Sequence, residues 1–262
     1  MPVGVKARRW VAFGAAAALM LAVTLWRQDL FLEAARVTWK QFQAGGSARN
    51  KLLVEVALFA GIMLYTLRVI PDRADFKRDG LRVALALAAG WAAEAWGTRL
   101  GLWSYYTRET PPLWIVPAWG LGTLVVERTG ARWSGAAARI PAGRRRLLYG
   151  AAAALILGVV AAFSWPTLAE PATVAMLAAV AAALLVGVDT ARDLPVLAAG
   201  FLCVLFADTW GTTNNCWRYW LQHGYGSLGL AGGVLFGATY DTALVLGCLK
   251  ATEGLLGVGQ RS

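Results

Sequence analysis

The sequence predicts an all-α polytopic membrane protein of about eight transmembrane helices, arranged as two parallel four-helix repeats. Three observations carry that reading. Hydrophobic residues make up 58% of the 262 and charged ones only 15%. With a mean hydropathy of +0.53, the chain is too apolar for a soluble domain of this length. Its apolar residues are gathered into segments of nearly spanning length, and one stretch of sequence is written twice.

The apolar segments lie at 10–26, 52–70, 81–98, 113–126, 147–165, 173–188, 195–210 and 229–249. A helix needs about 20 residues to cross roughly 30 Å of hydrocarbon; each segment is near that, though the fourth and sixth are short. The first follows Lys6, Arg8 and Arg9 and has no small-x-small cleavage pattern before Trp26-Arg27. It is expected to be a retained anchor helix. Residues 27–51 begin with RQDLFLEAARVTWKQFQ, expected as an amphipathic surface helix, and AGGSARN after it as a flexible joint.

The net charge of +10 would suit nucleic acid if it were clustered. Instead, with both termini cytoplasmic, 17 of the 25 Lys and Arg fall on the inner side. That is the positive-inside bias, so the basicity reports topology in a bacterial-type inner membrane, with membrane lipids as partners and no nucleic acid. The Lys and Arg at the C-terminal end are Lys250 and Arg261.

Cysteine and histidine mainly exclude chemistries. Cys203 and Cys248 fall within apolar segments and Cys216 between two of them, with no disulfide or zinc spacing. His223 is the sole histidine, too few for multi-histidine di-iron or bis-histidine haem ligation. No P-loop, GxSxG or dinucleotide fingerprint occurs. No cofactor is expected on the main reading.

The doubled stretch is EAWGTRLGLWSYY from Glu94 and DTWGTTNNCWRYW from Asp208. Around it, residues 75–127 align without a gap on 189–241 at a constant offset of 114. Asp75, Arg78 and Asp79 match Asp189, Arg192 and Asp193, and Glu94 matches Asp208. Trp96, Trp103, Tyr105 and Glu127 match Trp210, Trp217, Tyr219 and Asp241. A shift of four spanning helices preserves direction, so the repeat is expected to be parallel, about a pseudo-twofold axis along the membrane normal.

A carboxyl inside a bilayer costs a few kcal/mol on insertion scales, so it is expected to face the bundle interior and serve a purpose. Glu94 and Asp208 lie about 13 residues into their segments, roughly 20 Å from the inner end at 1.5 Å per residue. Low dielectric favours a neutral acid able to donate a proton; the alternative is a structural hydrogen bond between helices. Glu127 and Asp241 are placed toward inner ends, with ERTG read as a helix end where Glu127 could be solvated. Glu55 enters its segment from the outer side, either joining Glu94 or sitting in the interface.

Trp103, Tyr105, Trp217 and Tyr219 fall at or beyond the outer ends of their segments. They suit an aromatic interfacial belt or the wall of a cavity whose π faces stabilise a cation. Trp96 and Trp210, two residues past each acid, are the stronger candidates for the cation site. Gly97 and Gly211 allow close packing or a helix end. Gly229, Gly233, Gly237 and Asp241 form a stripe at four-residue spacing that would admit a neighbouring helix.

PDRADFKRD sets Asp72, Asp75 and Asp79 at an inner end, and DTARD repeats the spacing at Asp189 and Asp193. These resemble, at a distance, the Asp-rich motifs with which UbiA-type prenyltransferases hold Mg²⁺ on a prenyl diphosphate, although Pro71 stands where an Asn usually leads. The bland account makes Asp79 and Asp193 helix N-caps, with salt bridges to nearby arginines.

The pattern E-x-x-G-x-x-x-G-x-W-x-Y-Y followed by PPLWIVPAW resembles the carotenoid-biosynthesis membrane family that includes the bacterioruberin-type hydratases. Glu94, Gly97, Gly101, Tyr105, Tyr106, Val116, Pro117 and Trp119 occupy the positions that match. The doubled acid and W-x-Y segments are similar, more loosely, to small membrane lycopene cyclases and membrane terpene cyclases. The likeness covers about 35 residues well. In the second copy Asp208 replaces the glutamate and TTNNC breaks the second glycine spacing.

The resemblance implies a lipid-soluble isoprenoid or polyene substrate, protonated at a C=C bond by a carboxylic acid and then hydrated or cyclised. Glu94 and Asp208 would serve as acid and partner. Two other readings stay open: a Mg-dependent prenyltransferase built on the inner aspartates, and a proton-coupled carrier or lipid-binding subunit with paired intramembrane acids.

Overall fold

In a computed structural model of the protein, residues 3–258 are described; Arg261 and the two chain ends lie outside them. The chain divides into two compact units, one up to Ala74 and one from Asp75 on, where the sequence reading has a single domain over 1–262. Among the described residues, regular structure is almost wholly helical.

The first unit contains α1 (Val3–Trp26), α2 (Gln28–Ala44) and α3 (Gly46–Val69), which pack on one another. α2 leaves Phe31, Leu32 and Trp39 exposed, as an amphipathic helix does when its apolar face has no protein partner. The flexible joint expected over 44–50 is instead almost all helix: residues 46–50 form the first turns of α3. Gly45 and Gly46 take positive φ values of 68° and 55°, so two glycines suffice to turn the chain. Asp72 at the end of this unit pairs with Arg9 at 2.9 Å and Arg68 at 3.5 Å.

The second unit runs α4 (Phe76–Arg99), β1 (Trp103–Tyr105), α5 (Val116–Ala138), α6 (Ala142–Phe163), α7 (Pro171–Leu185), α8 (Thr190–Thr213), β2 (Trp217–Tyr219) and α9 (Gln222–Val258). Each of the eight apolar segments lies largely within one helix. Among the described residues, five helices, α1, α3, α6, α8 and α9, are long and apolar enough to cross a membrane. α4 and α5 are as long but carry more ionisable side chains, and α7 has 15 residues. Leu147, Leu155, Leu202 and Phe206 project exposed from α6 and α8.

α9 is the centre of this unit, touching α4, α5, α6, α7, α8 and β2. Its first turn is broken at Gly226 (φ 53°, ψ −125°), a backbone shape that glycine adopts without steric cost. α5 lies against both α4 and α8. Helices 4, 8 and 9 therefore share one core, and those three carry Glu94, Asp208 and Asp241.

α4 and α8 begin alike. Asp75 and Asp189 are the N-caps, accepting from the backbone N–H of Arg78 at 3.3 Å and Ala191 at 3.0 Å. Asp79 and Asp193, the expected caps, sit one turn inside and accept the N–H of Asp75 and Asp189 at 2.9 and 3.1 Å. The correction follows from backbone geometry: Asp75 and Asp189 have the extended φ/ψ of a cap, and each carboxylate satisfies an amide the helix leaves open.

Candidate functional site

α4 and α8 also end alike. Leu100 and Asn214 donate their N–H back to Trp96 and Trp210, and Leu102 and Cys216 donate to Gly97 and Gly211, both at 2.8 Å. The residue between, Gly101 or Asn215, has positive φ, which reverses the chain. WSY and WRY thereby return as β1 and β2 and pair antiparallel with each other: Trp103 opposite Tyr219, Ser104 opposite Arg218, Tyr105 opposite Trp217. The flanking bonds, Tyr106 N–H to Cys216 O and Trp220 N–H to Leu102 O, exchange under the same offset.

This return aims the aromatic side chains back at the acids. Trp103 Nε1 donates to Glu94 at 3.0 Å and the Tyr105 hydroxyl at 3.0 Å, while Trp119 Nε1 from α5 donates at 3.3 Å. At Asp208 the donors are Trp217 Nε1 and the Tyr219 hydroxyl, both at 2.9 Å. Both carboxyls are 4% exposed, so each is supported by donors rather than by water, and a hydrogen bond to a charged group is worth about 1.5–3 kcal/mol. Burial, and then the adjacent Glu94, pushes the Tyr105 phenol well above its ordinary range; burial and Asp208 do the same at Tyr219. Both phenols stay protonated donors.

Glycines make room for these contacts. A Cβ on Gly97 or Gly211 would run into the indole of Trp103 or Trp217. The stripe on α9, expected to admit a neighbouring helix, is met by α8 at Gly237 and by the β2 segment along the rest. A Cβ on Gly237 would meet the Asp208 carboxylate and the Tyr219 hydroxyl, one on Gly233 the Tyr219 ring, and one on Gly229 the backbone of Leu221. The β2 segment folds onto α9 over Gly229 and Gly233, while α8 reaches Gly237 through Asp208.

Trp103 and Tyr105, expected at an interface or in a cavity wall, are buried, as is Tyr219; Trp217 is half-buried. Trp96 meets Trp103 edge-on at 5.7 Å and Tyr240 at 5.3 Å, and its Nε1 donates to Thr173 of α7 at 2.9 Å. Trp210 is half-buried on α8, and the Asp208 donors lie elsewhere. Phe163 and Phe236 stack at 3.6 Å, with Phe236 against Tyr240 at 5.2 Å. An open cavity of about 550 Å³ borders Thr98, Trp103, Tyr105, Arg108 and Arg218 on the strand pair.

Asp241 stands on α9 one turn beyond Gly237, where the Asp208 carboxylate packs. Glu127, its partner in the alignment, goes elsewhere. It pairs with Arg82 at 3.5 Å and with Arg128, in a cluster completed by Asp79 (2.6 Å from Arg128) and Glu253 (3.2 Å from Arg82). Asp79 begins α4, 15 residues before Glu94, or about 22 Å along the axis. ERTG is not a helix end: α5 continues to Ala138, because Arg128 is buried and neutralised inside the bundle. Asp193 pairs with Arg192 at 2.9 Å and Lys250 at 3.1 Å. Glu55 belongs to the first unit, where Lys51 lies 3.4 Å away.

Sequence reasoning thus finds both acids and their neighbours but misses Trp119, Tyr240 and Phe236 as site residues. Gly90 is the trace of Trp119, since a Cβ there would strike its indole; Tyr240 adjoins an acid already singled out. Comparison with family models, curated proteins and solved structures finds no match for this chain.

Proposed function

We propose that the protein is an integral membrane enzyme of isoprenoid or carotenoid metabolism that protonates a C=C bond of a lipid-soluble terpenoid and directs the cation to hydration or cyclisation. The carrying observation is the pair of buried carboxyls, Glu94 and Asp208, each held by a Trp and a Tyr from strands that pair with each other. Around them lie Trp96, Trp103, Phe236 and Tyr240, and aromatic faces stabilise a cation without capturing it. An alkene protonated in this setting would meet fixed carboxylates and π faces in place of bulk water.

The same reading takes the eight helical segments as spans, the two matched segments as a parallel repeat, and the inner membrane as the location with both termini cytoplasmic. Uncovered leucines and phenylalanines on α6 and α8 support contact with lipid. The likeness to carotenoid hydratases and membrane cyclases belongs to this proposal and agrees with it in the placement of Glu94, Tyr105 and Trp119.

The test is mass spectrometry of lipids from an isoprenoid-rich host expressing the wild type or Glu94→Gln. The expected result is a wild-type species heavier by one water than its precursor, or isomeric with it, and missing from the variant. Extracts of wild type and empty vector that agree, in hosts supplying linear carotenoids, quinone precursors and smaller terpenoids, would overturn the enzyme reading.

A further inference from the structure

The three carboxyls at the centre of the second unit are not equivalent. Glu94 has three donor side chains and Asp208 two. Indole N–H groups only donate, so they favour an acceptor-only carboxylate. Asp241, half-buried in the middle of α9, has no hydrogen bond or ion pair with any described residue, although it lies one turn beyond Gly237, against which the Asp208 carboxylate packs. On the preceding residue the Tyr240 hydroxyl, on a side chain 1% exposed that packs against Trp96 and Trp103, also has no partner among the described residues. A polar group that deep is normally satisfied.

The alignment explains why Asp241 is bare. Its counterpart Glu127 is neutralised by Arg82 and Arg128. At the positions matching those arginines stand Val196 and Thr242. Val126, matching Tyr240, has no hydroxyl. One half therefore builds an ion-paired acid, and the other an acid stripped of its cations next to an unpartnered hydroxyl. Of the three acids, carried on helices that pack against α9 or belong to it, Asp241 alone has no N–H donor that favours the carboxylate form.

Building on the proposed function, we propose that Asp241 holds the transferable proton, that Glu94 and Asp208 are the fixed anions that stabilise the cation, and that the Tyr240 hydroxyl positions the water consumed. The Asp241 O–H bond breaks as a C–H bond forms at the less substituted carbon of the alkene, leaving a tertiary cation at the other. Water held by Tyr240 adds its oxygen to the cation and returns a proton to the Asp241 carboxylate. Alkene and water become a tertiary alcohol, and the acid is regenerated. Where an internal alkene captures the cation instead, Asp241 takes the proton lost and the product is an isomer.

Infrared spectroscopy of the purified full chain reads the proton directly. The protonated-carboxyl C=O stretch, identified by its downshift in D₂O, is expected in the wild type, in Glu94→Gln and in Asp208→Asn. Asp241→Asn should remove it and Asp241→Glu restore it. Loss of the band in Glu94→Gln, or its survival in Asp241→Asn, overturns the assignment. In the lipid assay Asp241→Asn should lower product by about 100-fold or more, while Tyr240→Phe shifts the ratio from hydrated toward isomeric product; an unchanged ratio removes the role given to Tyr240. If the infrared pattern holds while the wild type forms no product, the enzyme reading fails and the proton assignment stands. If product forms but the band belongs to Glu94, the reverse holds. Should Asp241→Asn fail to fold, Asp241→Glu decides: a protonated-carboxyl band unchanged in frequency in that variant overturns the assignment.

Discussion

Trp103 and Tyr219 stand opposite each other in the strand pair, rings edge-on at 6.4 Å, yet each donates to a different acid. Trp103 serves Glu94 and Tyr219 serves Asp208. The strand pair thus ties the two carboxyl sites into one structure, and a disturbance at one should be felt at the other.

Trp103→Phe and Trp217→Phe each delete one donor to a buried carboxyl while keeping a ring. Each is expected to destabilise the protein by about 1–3 kcal/mol. The double variant should depart from additivity, since the two sites share the strand pair. Unfolding midpoints in detergent for both singles and the double measure the coupling; strict additivity would mean the sites are independent.

Gly237 and Gly254 both lie in α9, but only Gly237 has a carboxylate and a hydroxyl where its Cβ would go. Gly254→Ala should stabilise by up to about 1 kcal/mol through helix propensity alone. Gly237→Ala should lose about 1–3 kcal/mol from overpacking against Asp208 and Tyr219. Thermal melts of the two variants check the opposite signs.

Arg128 is 2% exposed and neutralises Asp79 and Glu127. Arg128→Leu leaves Asp79 and Glu127 to share Arg82 alone and is expected to cost about 3–5 kcal/mol. Arg144→Ala, at an exposed position, should change stability by less than about 0.5 kcal/mol. Denaturant titration of both separates buried from surface arginine.

The raised Tyr105 and Tyr219 phenols carry a pH dependence. In the unfolded chain they ionise near about 10, but in the fold only well above that, so the folded state holds more protons at alkaline pH. Their contribution is fully present below the unfolded value and lost as pH rises through and beyond it. Stability should therefore fall above that pH, and Tyr105→Phe should flatten the slope. Tyrosinate absorbance followed during alkaline unfolding tests this, with ionisation expected to accompany unfolding rather than precede it.

Much of the molecule was legible in the sequence because it rests on local chemistry. Runs of apolar residues make helices wherever the backbone must satisfy itself, and the eight segments are helical for that reason. The doubled phrase also marked Glu94 and Asp208 with the Trp and Tyr that bind them, since a helix end and a tight reversal separate acid from donors by only nine to eleven residues. What spacing along the chain cannot carry is partnership across helices. Trp119 reaching Glu94 from α5, β1 choosing β2, Gly237 receiving a carboxylate, and Arg82 and Arg128 neutralising Glu127 but not Asp241 are all long-range contacts. The sequence by itself determined which acids are present and on which segments. Only the tertiary structure decided which are held by donors, which are ion-paired and which is left bare, because a carboxyl's state is set by the groups packed around it.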